Sequence, residues 1–162
     1  MKCAKGFTLI EFMIVAAIIA IIAAIAIPNL MRSRMSANEA AAAEKMREIM
    51  WGEIAYQKAA LTDIDKDGLG DYASLIELAN PGPDKEVKPF INPVLARGMY
   101  CGYIFTVIVK HGDTKFLPAY TCTAVPAAAG RTGFRQYFVD ASGVIRFTAD
   151  GSAVNSTSTP LN

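Results

Sequence analysis

Residues 7–27 read FTLIEFMIVAAIIAIIAAIAI, 21 residues with one charge, Glu11, and no Pro or Gly. As a helix rising about 1.5 Å per residue, the stretch covers roughly 30 Å, the thickness of a bilayer's hydrocarbon core. It reads as a membrane-crossing helix from which the rest of the fold must hang. Outside it, the 162-residue chain is an ordinary soluble mixture with room for one domain. Sixteen basic and fifteen acidic side chains nearly cancel, so no global field points to nucleic acid or to a strongly acidic partner.

Two processing patterns fit the flanks of this helix. In the first, Lys2 and Lys5 form the basic head of a secretory signal peptide, and Ala24-Ile25-Ala26 is its small-x-small cut site. Against it, the apolar run is longer than such cores usually are, and it contains Glu11. A carboxylate is unfavourable by about 2.5–3.5 kcal/mol at mid-bilayer and by less near the interface. In the second pattern a short basic leader ends at Gly6 and the helix opens at Phe7. Here Gly6-Phe7-Thr8-Leu9-Ile10-Glu11 resembles the Gly-Phe-Thr-Leu-Ile-Glu signature of type IV pilins and type II secretion pseudopilins. Pro28 falls where members of that family commonly carry a proline that bends the helix. The resemblance extends over roughly the first 35 residues and combines a motif, a leader charge and an apolar length.

The resemblance implies a prepilin peptidase that cuts after Gly6 on the cytoplasmic side and methylates the new amine of Phe7. It also implies that Glu11 meets the Phe7 amine of a neighbouring subunit inside a helical bundle. Elementary electrostatics asks for such a partner, because a buried carboxylate needs a cation and the helix holds no other. In the unassembled chain the alternative is a Glu11 that reaches back to the headgroups, about 6 Å along the helix from Phe7. Lys2 and Lys5 before the helix balance Arg32 and Arg34 after it, so an N-inside orientation rests on the resemblance.

Beyond Pro28-Asn29 helical composition resumes. Ala42, Met46, Ile49, Met50 and Ile54 recur at helical spacing, while Glu39, Glu44, Lys45, Arg47 and Glu48 take the other faces. Residues 7–61 are therefore expected to form one long, gently kinked helix of about 80 Å. Its second half lays an apolar stripe on a core, and Trp51 and Tyr56 read as packing residues.

Asp63, Asp65 and Asp67 followed by Gly68 match the first half of a calcium loop, with Asp71 at the ninth position. The twelfth position is Ser74, where a bidentate Glu is expected, and Glu77 reaches it only by a different loop path. The competing reading is a solvated loop that ends the helix. Tyr72 to Leu78 reads as a short helix or turn, and Asn80-Pro81-Gly82-Pro83 as an irregular connection.

YCGYIFTVIVK (100–110) and KFLPAYTCTAV (115–125) are rich in aromatic and β-branched residues, with His111-Gly112-Asp113-Thr114 as the turn between them. Residues 134–140 and 144–148 make a second hairpin around Ala141-Ser142-Gly143, and Pro118 marks an edge or bulge. A cut after Gly6 removes Cys3 and leaves Cys101 and Cys122 nearly opposite each other in the first hairpin. In an oxidising compartment they are expected to form a disulfide worth about 3 kcal/mol on the chain-entropy model; two buried thiols are the alternative. The Ser/Thr/Asn-rich tail is either an ordered wrap over the sheet or a frayed end.

The expected fold is α+β and type IV pilin-like. A long N-terminal helix, its first half transmembrane, packs its second half on an antiparallel sheet of three to four strands. The segments are a cleaved leader (1–6), a transmembrane or filament-core helix (7–28), its amphipathic half (29–61), a variable αβ connection (62–98), the sheet (99–148) and the tail (149–162). His111 is the lone histidine, beside a turn glycine, and Gly98 to Gly102 lacks the Lys and spacing of a phosphate loop, so no enzyme is expected. No cofactor is required, and Ca2+ is the candidate at the Asp-rich loop.

Three functions follow. The leading one is a pilin, major or minor, that polymerises through its helix with copies of itself and with other pilins. Its implied partners are the prepilin peptidase and methyltransferase, the assembly platform and the ATPase. Its implied path runs from a single-pass inner-membrane precursor to the cell surface. The second is a pseudopilin of a type II secretion system, in a periplasmic filament. The third is a membrane-tethered calcium- or ligand-binding module that never polymerises. The resemblance implies a C-terminal calcium loop in the sheet region of a major pseudopilin, and no such cluster follows residue 90, which tilts the choice toward the pilus.

Overall fold

A computed structural model of the chain describes residues 7–64, 66, 68–82, 87–112 and 116–161. It divides into two compact units, Met1–Arg34 and Met35–Asn162. Helix α1 spans Leu9–Ala59 and contributes to both, with Pro28 inside it. In the first unit every described side chain except the half-buried Ala23 is exposed. The helix is long and apolar enough to cross a membrane.

In the second unit α1 buries Ala42, Met46, Ile49, Glu53 and Tyr56, steps of three and four that keep one face on the core. Gly52 lets another segment cross that face closely. A Cβ there would stand 2.7 Å from Ile91 Cγ2 and 3.3 Å from the Phe90 carbonyl oxygen. Trp51 points away from the core and is 63% exposed. Tyr56 is buried, edge-on to Phe90.

The connection carries α2 (Leu75–Ala79), opened by a capping box in which Ser74 and Glu77 satisfy each other's backbone N–H. A single 3-10 turn follows at Pro93–Arg97. The sheet comprises β1 (Met99–Tyr100), β2 (Tyr103–Lys110), β3 (Ala119–Pro126), β4 (Gln136–Asp140), β5 (Arg146–Thr148) and β6 (Thr159–Pro160). The strands pair antiparallel in chain order, β1-β2-β3-β4-β5-β6. Tyr103 and Phe105, then Tyr120, Cys122 and Ala124, then Tyr137 and Val139 alternate inward to the core with α1 and α2.

Among the described residues the sheet thus has six strands where three or four are expected. The additions are the two-residue β1 and β6, too short to leave a periodic pattern. β6 also decides the fate of the tail, which turns back onto β5; the Leu161 N–H donates to the Ile145 carbonyl at 2.7 Å.

The expected disulfide does not form: Cys101 and Cys122 are free thiols, one exposed and one buried. β2 and β3 pair Lys110 with Ala119, so their axis lies three residues later than the midpoint of the two cysteines. Cys122 faces Val107, and its Sγ lies 3.6 Å from Met46 Sδ. Cys101 sits in a two-residue turn between Tyr100 and Tyr103, with φ of 45° there and 74° at Gly102. Positive φ at both central residues defines a hairpin turn whose twist suits the strands. That turn takes Cys101 out of the strand in which it is expected. In a Cys3→Ala chain, a maleimide should label one thiol in the folded protein and a second only after denaturation. Labelling that first requires a reductant would reinstate the disulfide.

The β3–β4 connection grips α1. The Glu39 carboxylate accepts from the N–H groups of Phe134 and Arg135 at 2.9 and 3.3 Å, and the Tyr137 hydroxyl donates to the Glu39 carbonyl at 3.1 Å. Asn38 Nδ2 donates to the Thr132 carbonyl, and the Tyr103 hydroxyl to that of Arg135.

Candidate functional site

The start of α1 holds the residues assigned to processing and assembly. Gly6, one side of the expected cut, lies outside the described residues. Phe7 is exposed. Thr8 and Glu11 form a reciprocal pair: Glu11 Oε2 accepts from the Thr8 N–H at 2.8 Å and from its hydroxyl at 2.7 Å. In return the Glu11 N–H donates to Thr8 Oγ1 at 3.3 Å. This is a capping box, and it satisfies backbone N–H groups that the first helical turn leaves without partners.

Glu11 therefore has a partner within its own chain that the reading by charge alone does not supply. One carboxylate oxygen closes the cap, and the negative charge sits at the positive end of the helix dipole. The signal was present in the sequence: Thr8-Leu9-Ile10-Glu11 before an apolar run is a Thr-x-x-Glu box. Further along, α1 continues through Pro28 without interruption.

The Asp-rich loop is arranged around Asp71 rather than around a point between its carboxylates. Asp71 is 2% exposed. Its Oδ2 accepts from the Ile64 N–H and its Oδ1 from the Gly112 N–H, both at 3.0 Å. His111 Nδ1 lies 3.6 Å from Oδ2. Asp71 thus ties the loop after α1 to the connection after β2. Asp63 Oδ2 accepts from the Gly68 N–H at 3.1 Å, while Asp65 and Asp67 lie outside the described residues. Glu77, the substitute for a missing twelfth ligand, is committed to the Ser74 cap. No group of three metal-ligating side chains comes together among the described residues.

Gly70 closes the end of α1. A Cβ there would meet the Gln57 carbonyl oxygen at 2.1 Å, inside any allowed contact. Among buried groups that the sequence did not single out, Glu53 is the most unusual. It is fully enclosed on the packed face of α1, and its Oε2 accepts from the Ala73 N–H at 3.0 Å.

A long apolar helix opened by the Thr8–Glu11 box leads into a half packed in an α+β core, the arrangement that the resemblance to type IV pilins implies. Comparison with known proteins agrees. The family model for the prokaryotic N-terminal methylation motif matches residues 1–27. The chain is 47% identical over 57 residues to the type IV wide pilus major component PilA4 of Thermus thermophilus. That match takes in 35% of this chain and 44% of the relative, so it spans less than half of that protein's length. No solved structure matches the chain.

Proposed function

We propose that this protein is a pilin that polymerises through α1 into a type IV pilus-like filament. The observation that carries the reading is the exposed apolar helix with a carboxylate in its first turn. A side-chain surface so apolar is unfavourable in water and needs lipid first and neighbouring helices afterwards. Glu11 keeps one oxygen outside its cap, and that oxygen is the acceptor for the Phe7 amine of the next subunit. A peptidase cut after Gly6 supplies the amine, and its methylation completes the processed end. The precursor resides in the inner membrane as a single-pass protein until an assembly platform and its ATPase extract it.

The resemblance to a pilus component supports a surface filament over the periplasmic pseudopilus of a secretion system. The protein's role in either is structural rather than catalytic. The test is electron microscopy and mass spectrometry of sheared surface material. Abundant chain beginning at methylated Phe7 in filaments is the expected result. Chain confined to the cell envelope with no surface filament would replace the pilus by the pseudopilus.

Calcium at the Asp-rich loop belongs to the same proposal. It rests on the spacing of Asp63, Asp65 and Asp67 before Gly68, since both Asp71 oxygens already accept from the backbone. A calcium-dependent rise in melting temperature that Asp65→Ala abolishes is the expected result. Identical melting with and without calcium retires the ion.

A further inference from the structure

Glu53 is a carboxyl group buried where no cation meets it among the described residues. It is wholly enclosed, and the groups set against it come from the connection, α2 and β3. Tyr72 and the Ala73 N–H face it from the connection, Glu77 from α2, and Tyr120 and Cys122 from β3. None of these is positively charged. Each that ionises becomes an anion, which would raise the cost of a second negative charge. Glu53 Oε2 has one donor, Ala73, while Oε1 is buried without a hydrogen-bond partner, as is the Tyr120 hydroxyl oxygen. A carboxylate left this way, buried and bonded through one oxygen, is strongly unfavourable; a neutral acid is not.

The Ala73 contact lies at a consequential place. It falls between Asp71, which anchors the connection to the β2–β3 loop, and the Ser74–Glu77 box that starts α2. Phe90 then returns to α2 through its N–H bond to the Leu78 carbonyl at 2.9 Å. Ala73, Leu75, Leu78 and Ala79 are all buried, so the docking of this whole segment on α1 includes the Glu53 bond.

We propose that Glu53 is a neutral carboxylic acid in the folded protein and acts as a proton-operated latch between α1 and the segment 71–79. With the proton on Oε1, the acid accepts from Ala73 and needs no counter-charge. When the proton leaves, the charge draws water toward Glu53 and the segment lifts. The inference rests on the packed α+β unit and does not depend on the filament reading.

Burial pushes the Glu53 carboxyl up to about 8; the Ala73 hydrogen bond works against this and the Glu77 charge adds to it. A raised acid means that the closed form binds the proton more tightly than the open form. The latch is therefore fully closed below the ordinary carboxylate range. It weakens steadily as pH rises toward about 8 and changes no further above that.

The test uses the full chain in detergent micelles. Hydrogen exchange at the Ala73 amide, corrected for the intrinsic rate, should rise by up to about tenfold per pH unit between pH 6 and 8, then level off. Infrared spectra at pH 6.5 should contain the carbonyl band of one un-ionised carboxylic acid that disappears above pH 9 and is missing in Glu53→Gln. Identical carboxylic-acid bands in the wild type and Glu53→Gln would overturn the proposal. If Glu53→Gln fails to fold, the wild-type exchange profile decides alone, and a profile independent of pH overturns the latch.

Discussion

Glu11→Gln is expected to abolish filaments while leaving the first turn of α1 intact. A Gln at this position still offers an oxygen to the Thr8 N–H, as capping boxes with Gln do, but has no charge for a neighbouring amine. Glu11→Ala removes both the cap and the charge. Thr8→Ala removes the hydroxyl that caps the Glu11 N–H, at about 0.5–2 kcal/mol of helix stability, and keeps the charge. If assembly depends on pairing between subunits, filament yield should collapse in both Glu11 variants and survive in Thr8→Ala. If it depends on the cap, Glu11→Gln should assemble and Glu11→Ala should not. Yields are read from sheared material by electron microscopy and quantitative mass spectrometry. Normal filaments from Glu11→Gln would end the charge-pairing account.

Asp71→Ala should destabilise the second unit by about 2–5 kcal/mol, because it strips the acceptor from two backbone N–H groups at once. Water reaches the site poorly, since Asp71 itself is almost completely enclosed. Asp71→Asn should lose less. It keeps one acceptor oxygen and turns an amide N–H2 toward the other donor, at about 1–3 kcal/mol. Denaturant midpoints measure both. The loss should be the same in calcium and in chelator, because the partners of Asp71 are the Ile64 and Gly112 amides. A wild-type midpoint in Asp71→Ala would show that the loop is held by other contacts.

The long helix was legible from the sequence because both of its signals are long. A run of 21 apolar residues sets its first half, and Ala42, Met46 and Ile49 at helical spacing set the second. The central strands were legible for the same reason, since Tyr103–Lys110 and Ala119–Pro126 are each eight residues of alternating burial. What failed was register. A turn expected at His111–Thr114 is an eight-residue connection, and a three-residue shift in the axis moves Cys101 away from Cys122. The tight turn at Cys101-Gly102 lacks the Asn-Gly or Asp-Gly pair that usually announces it.

The candidate site was legible in the sequence as a motif, and its internal bonding was not. Gly6, Phe7, Glu11 and Pro28 follow from the motif, but the bond from Glu11 to Thr8 required treating the same letters as a helix cap. Asp71 was legible as a loop carboxylate, yet its partner Gly112 is 41 residues away, beyond any local pattern. Glu53 lies on the apolar stripe of α1, where composition suggests only another surface charge. Its burial is decided by Ala73 and β3, which no spacing within the helix reveals.

The strand order also sets a schedule for folding. Each strand pairs with the one just made, so the hairpins can zip as the chain is delivered, with short loops to close. The grip on α1 is of the opposite kind. Glu39 waits for Phe134 and Arg135, separated from it by 95 and 96 residues, and for the Tyr137 hydroxyl, 98 residues away. Loop closure over such distances cannot begin until most of the polypeptide is available. The stretch of α1 around Glu39 is therefore seated by one of the last pieces to arrive, whereas Glu53 and Gly52 can meet Ala73 and Ile91 well before it.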